Sequence, residues 1–319
     1  MLYRGTLGAV IAFALTGCGG GQTPAVPQAV SGGAQSHSSS PTRPHAVRSG
    51  DLIYAADGRS DVVVLSYPQG KPVGKLTTTA EPWGLCSDSS GDVFVVEENE
   101  IVEYSHGGTS PINTLDFAGG GPGDCSWDST TGNLAAVSEN RDTVSIFPNS
   151  QGPAKTYTDY GYNFKFCAYG DKGDLFLSGD HGDSENAVVE FNAGSGTFTP
   201  ISLNEQLTPW AIQWDGKYLA IEAGSASSSS IYQVQVSGSS GKIVSNTPLN
   251  GPHPDEWYMR IQGDKVIMPI WQSLSRHDDK NIAFWSYPAG GKPLRVLSRS
   301  DFKAKGPIRG VTISVAPSR

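Results

Sequence analysis

The sequence predicts an all-β fold, a six-bladed β-propeller whose sixth blade is closed by segments from the two ends of the chain. Three observations carry this. One strand–turn–strand pattern recurs roughly every 39–51 residues from Asp51 to the C-terminus, which is the period and content of propeller blades. The last copy is divided: strands at 51–78 lack a preceding inner strand, and an inner strand at 308–315 has nothing after it. The composition, with 39 Gly, 21 Pro and 17% charged residues in 319, suits short strands joined by tight turns, and no long stretch runs at helical period. Length alone would suggest two domains, but a closed ring is an exception because every blade needs its neighbours to bury its faces.

In chain order, the first segment reads as an address. Arg4 precedes an apolar run, Gly5 to Thr16, that is short for a bilayer span. It ends in Leu15-Thr16-Gly17-Cys18, which resembles the bacterial lipobox. The resemblance implies export, removal of a signal peptide over 1–17, and acylation of Cys18, where two acyl chains give stable anchoring and one is marginal. An ordinary secretory signal with a chance cysteine is the alternative. Gly19, in place of Asp, resembles lipoproteins sent to the outer membrane of two-membrane bacteria. Residues 18–48 are rich in Gly, Ser, Pro and Gln and cannot bury enough apolar surface to offset ordering, so they read as a disordered tether. As a random coil it reaches on the order of 30 Å.

The propeller is read over 49–319. Inner strands A are Trp83–Ser87, Pro122–Ser126 and Phe164–Ala168, with weaker copies at Trp210–Trp214, Tyr258–Gln262 and Arg309–Ile313. A Gly-containing turn leads to strands B at Gly91–Val96, Gly132–Val137 and Gly173–Leu177, with Lys217–Ile221, Lys265–Pro269 and Asp51–Ala55 completing the set. Strands C are Ile101–Tyr104, Val144–Phe147, Val188–Phe191, Ile231–Val236, Ile282–Tyr287 and Val62–Tyr67. The outer hairpins match openly: Tyr67-Pro68-Gln69-Gly70-Lys71-Pro72 against Tyr287-Pro288-Ala289-Gly290-Gly291-Lys292-Pro293. Proline is tolerated there because the outermost strand is a sheet edge. Joining the divided copy closes the ring without a covalent bond and removes the open edge.

Leu52-Ile53-Tyr54-Ala55-Ala56-Asp57 followed by Val62-Val63-Val64, and Val137-Ser138-Glu139-Asn140-Arg141-Asp142-Thr143-Val144, resemble the strand B, acidic residue, strand C pattern of six-bladed NHL-repeat-like propellers. The resemblance covers 51–319, and the fourth and fifth copies depart most. It implies a fold and no particular activity.

The net charge of −8 excludes a basic stripe for nucleic acid and makes anionic lipid head groups poor partners. In a propeller, strands A start and strands B end on one face, so two columns of residues meet at one channel mouth. Trp83, Pro122, Phe164, Trp210, Tyr258 and Arg309 begin strands A; Asp57, Glu98, Glu139, Asp180, Ala223 and Trp271 end strands B. Rings offer flat apolar area and carboxylates orient hydroxyls or amines, which suits a sugar, a peptide or a cation. The structural alternative is that the acids cap turns and the aromatics wedge between blades. The ligand-binding candidates are Trp83, Phe164, Trp210, Tyr258, Arg309, Asp57, Glu98, Glu139 and Asp180.

Cys86, Cys125 and Cys167 occupy one position of three consecutive copies. Equivalent inner-strand positions are expected to lie beyond the roughly 7 Å Cα separation that a disulfide tolerates. We read them first as small buried apolar residues, then as one disulfide between neighbours, and last as a thiolate metal site, which lacks a CxxC or His pair. The loop Ser178–Asn186, with Asp180, His181, Asp183 and Glu185, has oxygen ligands but not the spacing of a calcium loop. His253–Trp257 is expected near the same mouth, and Arg276–Lys280 reads as a wet turn. No nucleophile elbow and no phosphate-cradling loop occurs.

The expectation is a lipid-anchored, extracytoplasmic binding module of the bacterial cell envelope, non-catalytic and without a cofactor. Its partner would be a small molecule, a glycan or an envelope protein. Its membrane contact would be through the N-terminal lipid alone. The alternative is a lactonase-like, metal-assisted hydrolase or lyase using calcium or another divalent ion with the acids and His181 or His253. A third reading is an envelope scaffold that binds proteins along its blade edges.

Overall fold

Runs of β-branched and aromatic residues, broken every few positions by Gly or Asp, form six antiparallel sheets in the computed structural model. It describes residues 50–317 apart from 60, 119, 183–184, 226–227, 252, 255–257 and 272–280. The signal peptide, Cys18, the tether, the loop centred on 276–280 and residues 255–257 therefore lie outside the described residues.

Blade 1 comprises Leu85–Ser87, Val93–Val96, Glu100–Tyr104 and Pro111–Asp116; blade 2 comprises Pro122–Trp127, Leu134–Ser138, Thr143–Phe147 and Lys155–Thr158. Blade 3 runs Tyr162–Tyr169, Leu175–His181, Glu185–Asn192 and Thr197–Pro200. Blade 4 runs Pro209–Trp214, Leu219–Ser225, Ser228–Ser237 and Ser240–Leu249, with Ser202–Leu203 added in parallel at its outer edge. In blade 5 the inner strand is interrupted: His253–Pro254 and Arg260–Gln262 both pair with Lys265–Trp271, followed by Asn281–Ser286 and Arg295–Leu297. Blade 6 is the divided one, with Ile308–Ser314 pairing Leu52–Asp57, then Asp61–Ser66 and Pro72–Thr77.

The core lies between blades. Ile53, Val63 and Ile313 of blade 6 pack against Ile267, Ile282 and Phe284 of blade 5, while Tyr54, Val62 and Val64 pack against Leu85, Val95 and Tyr104 of blade 1. Leu52–Asp57 is accordingly buried along its whole length. Polar contacts reinforce the closure. The Ser87 hydroxyl donates to the Ile313 carbonyl (2.9 Å), and the Ala316 N–H donates to Asp51 Oδ1 (2.9 Å). The Ser314 hydroxyl donates to the Gly91 carbonyl and lies 2.5 Å from His106 Nδ1.

The inner strands converge on the axis, and two glycines permit it. A Cβ on Gly84 would sit 2.3 Å from the Gly123 carbonyl oxygen, and one on Gly310 would sit 2.1 Å from that of Trp83. Bulges just after the first residues of strands A, between Pro122 and Cys125, Phe164 and Phe166, and Pro209 and Ile212, bend the strands there.

The cysteines correct the first reading. Cys86 and Cys125 form a disulfide, with Cα atoms 5.6 Å apart. The two positions are not equivalent: Cys86 pairs with Phe94, the second residue of its strand B, whereas Cys125 and Cys167 pair with Ala136 and Leu177, the third residues of theirs. A one-residue offset turns a side chain to the other face of its strand, so Cys86 looks forward to blade 2 and meets Cys125 looking back. Cys167 is a free thiol, buried, and burial pushes its pKa well up.

Candidate functional site

At the mouth where strands A begin, two cations each lie over an indole. Arg309 Cζ is 4.8 Å from the centre of the Trp83 ring, and Arg309 Nε is 3.5 Å from Glu81 Oε1. Lys165 Nζ is 5.2 Å from the Trp210 ring, 2.9 Å from Asp180 Oδ2 and 4.0 Å from Glu139 Oε1. Burial, the largest cause, pushes the Glu139 carboxyl above its ordinary range against the pull of Lys165; Asp180 adds to the rise and Arg309 opposes it. Arg309 and Lys165 thus act on one carboxylate. The arrangement brings together Trp83, Arg309, Trp210, Glu139 and Asp180 from the two sequence columns. Sequence reasoning missed Lys165 and Glu81. Lys165 follows the start of its strand A, where blades 1, 2 and 6 have glycine, and that break was the available signal.

Of the remaining candidates, Tyr258 is buried within electrostatic range of Glu139 and Arg309, and the others sit elsewhere. Phe164 is fully buried, stacked on Tyr162 (5.4 Å) and Phe198 (5.5 Å) between blades 2 and 3. Tyr258 is 4% exposed and meets the edge of Phe166 at 5.4 Å. Asp57 is buried and accepts the N–H groups of Lys305 (2.5 Å) and Gly306 (2.6 Å), holding the loop that enters strand A of blade 6. Glu98 is exposed; its neighbour Glu97 is buried and does the same for blade 1, accepting from Thr79 N (3.0 Å) and Ala80 N (2.8 Å). His181 lies on the Tyr162 ring at 4.5 Å. The side chains of Pro122, His253 and Trp271 lie outside the description.

The opposite end of the channel holds an aromatic collar that the sequence columns did not include. Trp127, Tyr169 and Trp214 end strands A of three consecutive blades, half-buried, around a cavity of about 160 Å³ also lined by Ser87, Asp124 and Arg260. Their signal was present: Cys125-Ser126-Trp127 and Cys167-Ala168-Tyr169 each place an aromatic two residues after the cysteine. Asp124 is buried, and this raises its carboxyl to about 7; Arg260 and the backbone N–H groups of Cys125 and Cys167 pull the other way. Arg260 Nη2 donates to the Leu85 carbonyl (2.8 Å).

Among the described residues, the carboxylates close enough to share a cation are Asp88, Asp92 and Glu103, within 4.8 Å of one another at the A–B turn of blade 1. Asp88 Oδ1 there accepts the N–H groups of Ser90 (2.9 Å) and Asp92 (2.8 Å), and Asp92 Oδ1 accepts from His106 N (3.2 Å). These bonds build the turn.

No family model and no curated protein matches the chain. Solved structures do. A chain in the crystal structure of a nidogen/laminin complex is 12% identical, with a TM-score of 0.65, covering 84% of this chain and 100% of its own. A protein of unknown function from Bacteroides caccae is 13% identical, with a TM-score of 0.58, covering 83% and 99%. A functionally unknown protein from Desulfotomaculum acetoxidans is 12% identical, with a TM-score of 0.55, covering 85% and 100%. At these identities the likeness is one of fold, and the fold is the six-bladed β-propeller.

Proposed function

We propose that this protein is a lipid-anchored, extracytoplasmic binding module of the bacterial cell envelope that takes a glycan, small molecule or protein at the Trp83/Trp210 mouth and performs no chemistry. The observation that carries the reading is the pair of indole–cation–carboxylate clusters there. Each offers a flat ring with both signs of charge beside it, and neither ring is fully buried. A sugar face or an aromatic side chain stacks on the indoles while hydroxyls and amines reach Glu139, Asp180 and Glu81. Cys18 supplies the anchor and residues 18–48 the reach. A ring of similar shape occurs in the nidogen/laminin complex, but fold alone does not transfer that role.

Glycan and peptide arrays probed with the full-length chain test this. Trp83→Ala with Trp210→Ala should lose the captured probe at least about tenfold, the equivalent of one stacked contact, while the melting temperature stays within a few degrees. Capture that survives the double substitution would move the site away from this mouth. Mass analysis of the N-terminal peptide should show acyl chains on Cys18, and Cys18→Ala should release the protein from membranes.

A further inference from the structure

The two clusters at the mouth stand on opposite sides of the ring. Blades follow one another in chain order, and blade 6 meets blade 1. Trp83 of blade 1 therefore lies across the axis from Trp210 of blade 4, and Arg309 of blade 6 across from Lys165 of blade 3. The floor between them is narrow enough for both cations to act on the Glu139 carboxyl, and Tyr258 is buried there within reach of Glu139 and Arg309. Each cluster pairs its own charges, Lys165 with Asp180 and Arg309 with Glu81. A charged ligand has to displace one of these partners, whereas a neutral one does not. The pairs are open to solvent: the Asp180 and Glu81 side chains are 39% and 40% exposed, and that of Arg309 30%. A hydroxyl both donates and accepts, so two neighbouring hydroxyls answer a cation and a carboxylate at once without adding charge. Backbone recognition is closed off at three successive blade junctions. A Cβ on Gly310 would lie 2.1 Å from the Trp83 carbonyl oxygen, one on Gly84 2.3 Å from that of Gly123, and one on Gly123 3.1 Å from that of Lys165. An extended peptide has no room to add itself to these inner edges, so the rings and the charged pairs carry the recognition.

We infer that the mouth is an oligosaccharide site with paired subsites, for a neutral glycan that lies across the ring with one sugar on Trp83 and another on Trp210. At each end the apolar C–H face of a pyranose meets an indole, while its hydroxyls donate to Glu81 or Asp180 and accept from Arg309 or Lys165. A single sugar occupies one subsite; a longer chain reaches both. The inference rests on the mouth being the place of binding, and it names what binds there.

Calorimetric titration of the full-length chain with malto-, cello- and chitin-oligosaccharides, from monosaccharide to tetrasaccharide, tests the site. One series should bind, tightening about fivefold or more once the chain is long enough to reach the second indole. Trp83→Ala and Trp210→Ala should each remove that gain with length, leaving the tetrasaccharide no tighter than its monosaccharide. If either variant does not fold, Glu81→Gln and Asp180→Asn, at exposed side chains, decide instead: each should weaken the tetrasaccharide about fivefold, the equivalent of one hydrogen bond. Affinity should change less than about twofold between low and high salt, because the ligand carries no charge to screen. Binding by none of the three series, a gain with length that survives both indole substitutions, or a steep salt dependence each overturns the inference. Loss of a captured peptide or small molecule in Trp83→Ala with Trp210→Ala would then keep the mouth as the binding site and remove only its glycan; capture indifferent to both substitutions would remove the mouth itself.

Discussion

Reducing the Cys86–Cys125 bond removes a cross-link between residues 39 apart in sequence. In the chain-entropy account the loss follows the logarithm of the closed loop and comes to about 4 kcal/mol at 25 °C for a loop of this size. The structure adjusts that figure in two ways. Both cysteines pack among Phe94, Leu134, Ala136 and Phe147, so replacing them with alanine adds the cost of a small cavity. The blade 1 inner strand is only the three residues Leu85–Ser87, so it has few ladder bonds to hold it once the bond opens. Urea unfolding of the full-length chain, followed by tryptophan fluorescence with and without reductant, reads the difference directly. The reduced protein should lose about 4 kcal/mol, corresponding to roughly 8 °C in melting temperature for a ring of this size. Cys86→Ala with Cys125→Ala should lose slightly more and be insensitive to reductant. A digest without reductant should contain the joined peptides, and Cys167, buried, should alkylate only on unfolding. Coincident transitions in a sample whose digest contains the joined peptides would refute the entropic reasoning; absence of those peptides would remove the bond itself.

Other perturbations follow the same logic. Tyr258→Ala should destabilise by about 3–5 kcal/mol, as for a buried ring, while Trp210→Ala, half-buried, should cost less; equal losses in thermal melts would contradict their different burial. Asp124 holds its proton more tightly folded, at about 7, than unfolded, near 3.9. Its stability contribution is therefore complete below about pH 4 and is lost as pH rises to about 7, at most about 4 kcal/mol. Asp124→Asn should show a stability difference from the natural chain that changes over that window, and a flat difference would refute the linkage. Ser126 pairs with Ala135 as Cys86 pairs with Phe94, and Cys167 Sγ lies 3.9 Å from the Ala135 carbonyl. Ser126→Cys should thus form a second disulfide with Cys167, detected as a joined peptide, and raise the urea midpoint. Deleting 307–319 removes the inner strand of blade 6 and should abolish cooperative unfolding; a truncation that unfolds like the whole chain would contradict the strand assignment.

The ring was readable because closure repeats: Gly-bounded strands B and the matched Tyr-Pro hairpins at 67–73 and 287–294 recur in register, and both Tyr–Pro bonds are cis. The divided copy pairs as its pattern requires, Leu52 to Ser314. Side-chain direction was less readable. A bulge near the start of a strand A adds one residue to a count that alternation fixes, so Phe164 points into the core although its column predicts the channel. The offset at Cys86 has a different origin, an A–B turn of five residues between Ser87 and Val93 against six between Trp127 and Leu134, and it hid the disulfide. At Glu97-Glu98 the sequence column takes the second acid, whereas backbone N–H groups of an entering loop select the first. Lys165 and the aromatic collar required knowing how far each inner strand reaches along the axis, which hydrophobic pattern does not encode.

The pairing of Leu52 with Ser314 places Asp51 and Ala316 side by side. A short peptide can bridge them, and new ends can then be cut in any connection between blades without altering which strand pairs with which. Position in the chain and position in the ring are therefore separable. Cutting between residues 117 and 121 would leave the junction of blades 1 and 2 as the seam, held covalently only by Cys86–Cys125. The same six blades would then open and close with the redox potential of their surroundings.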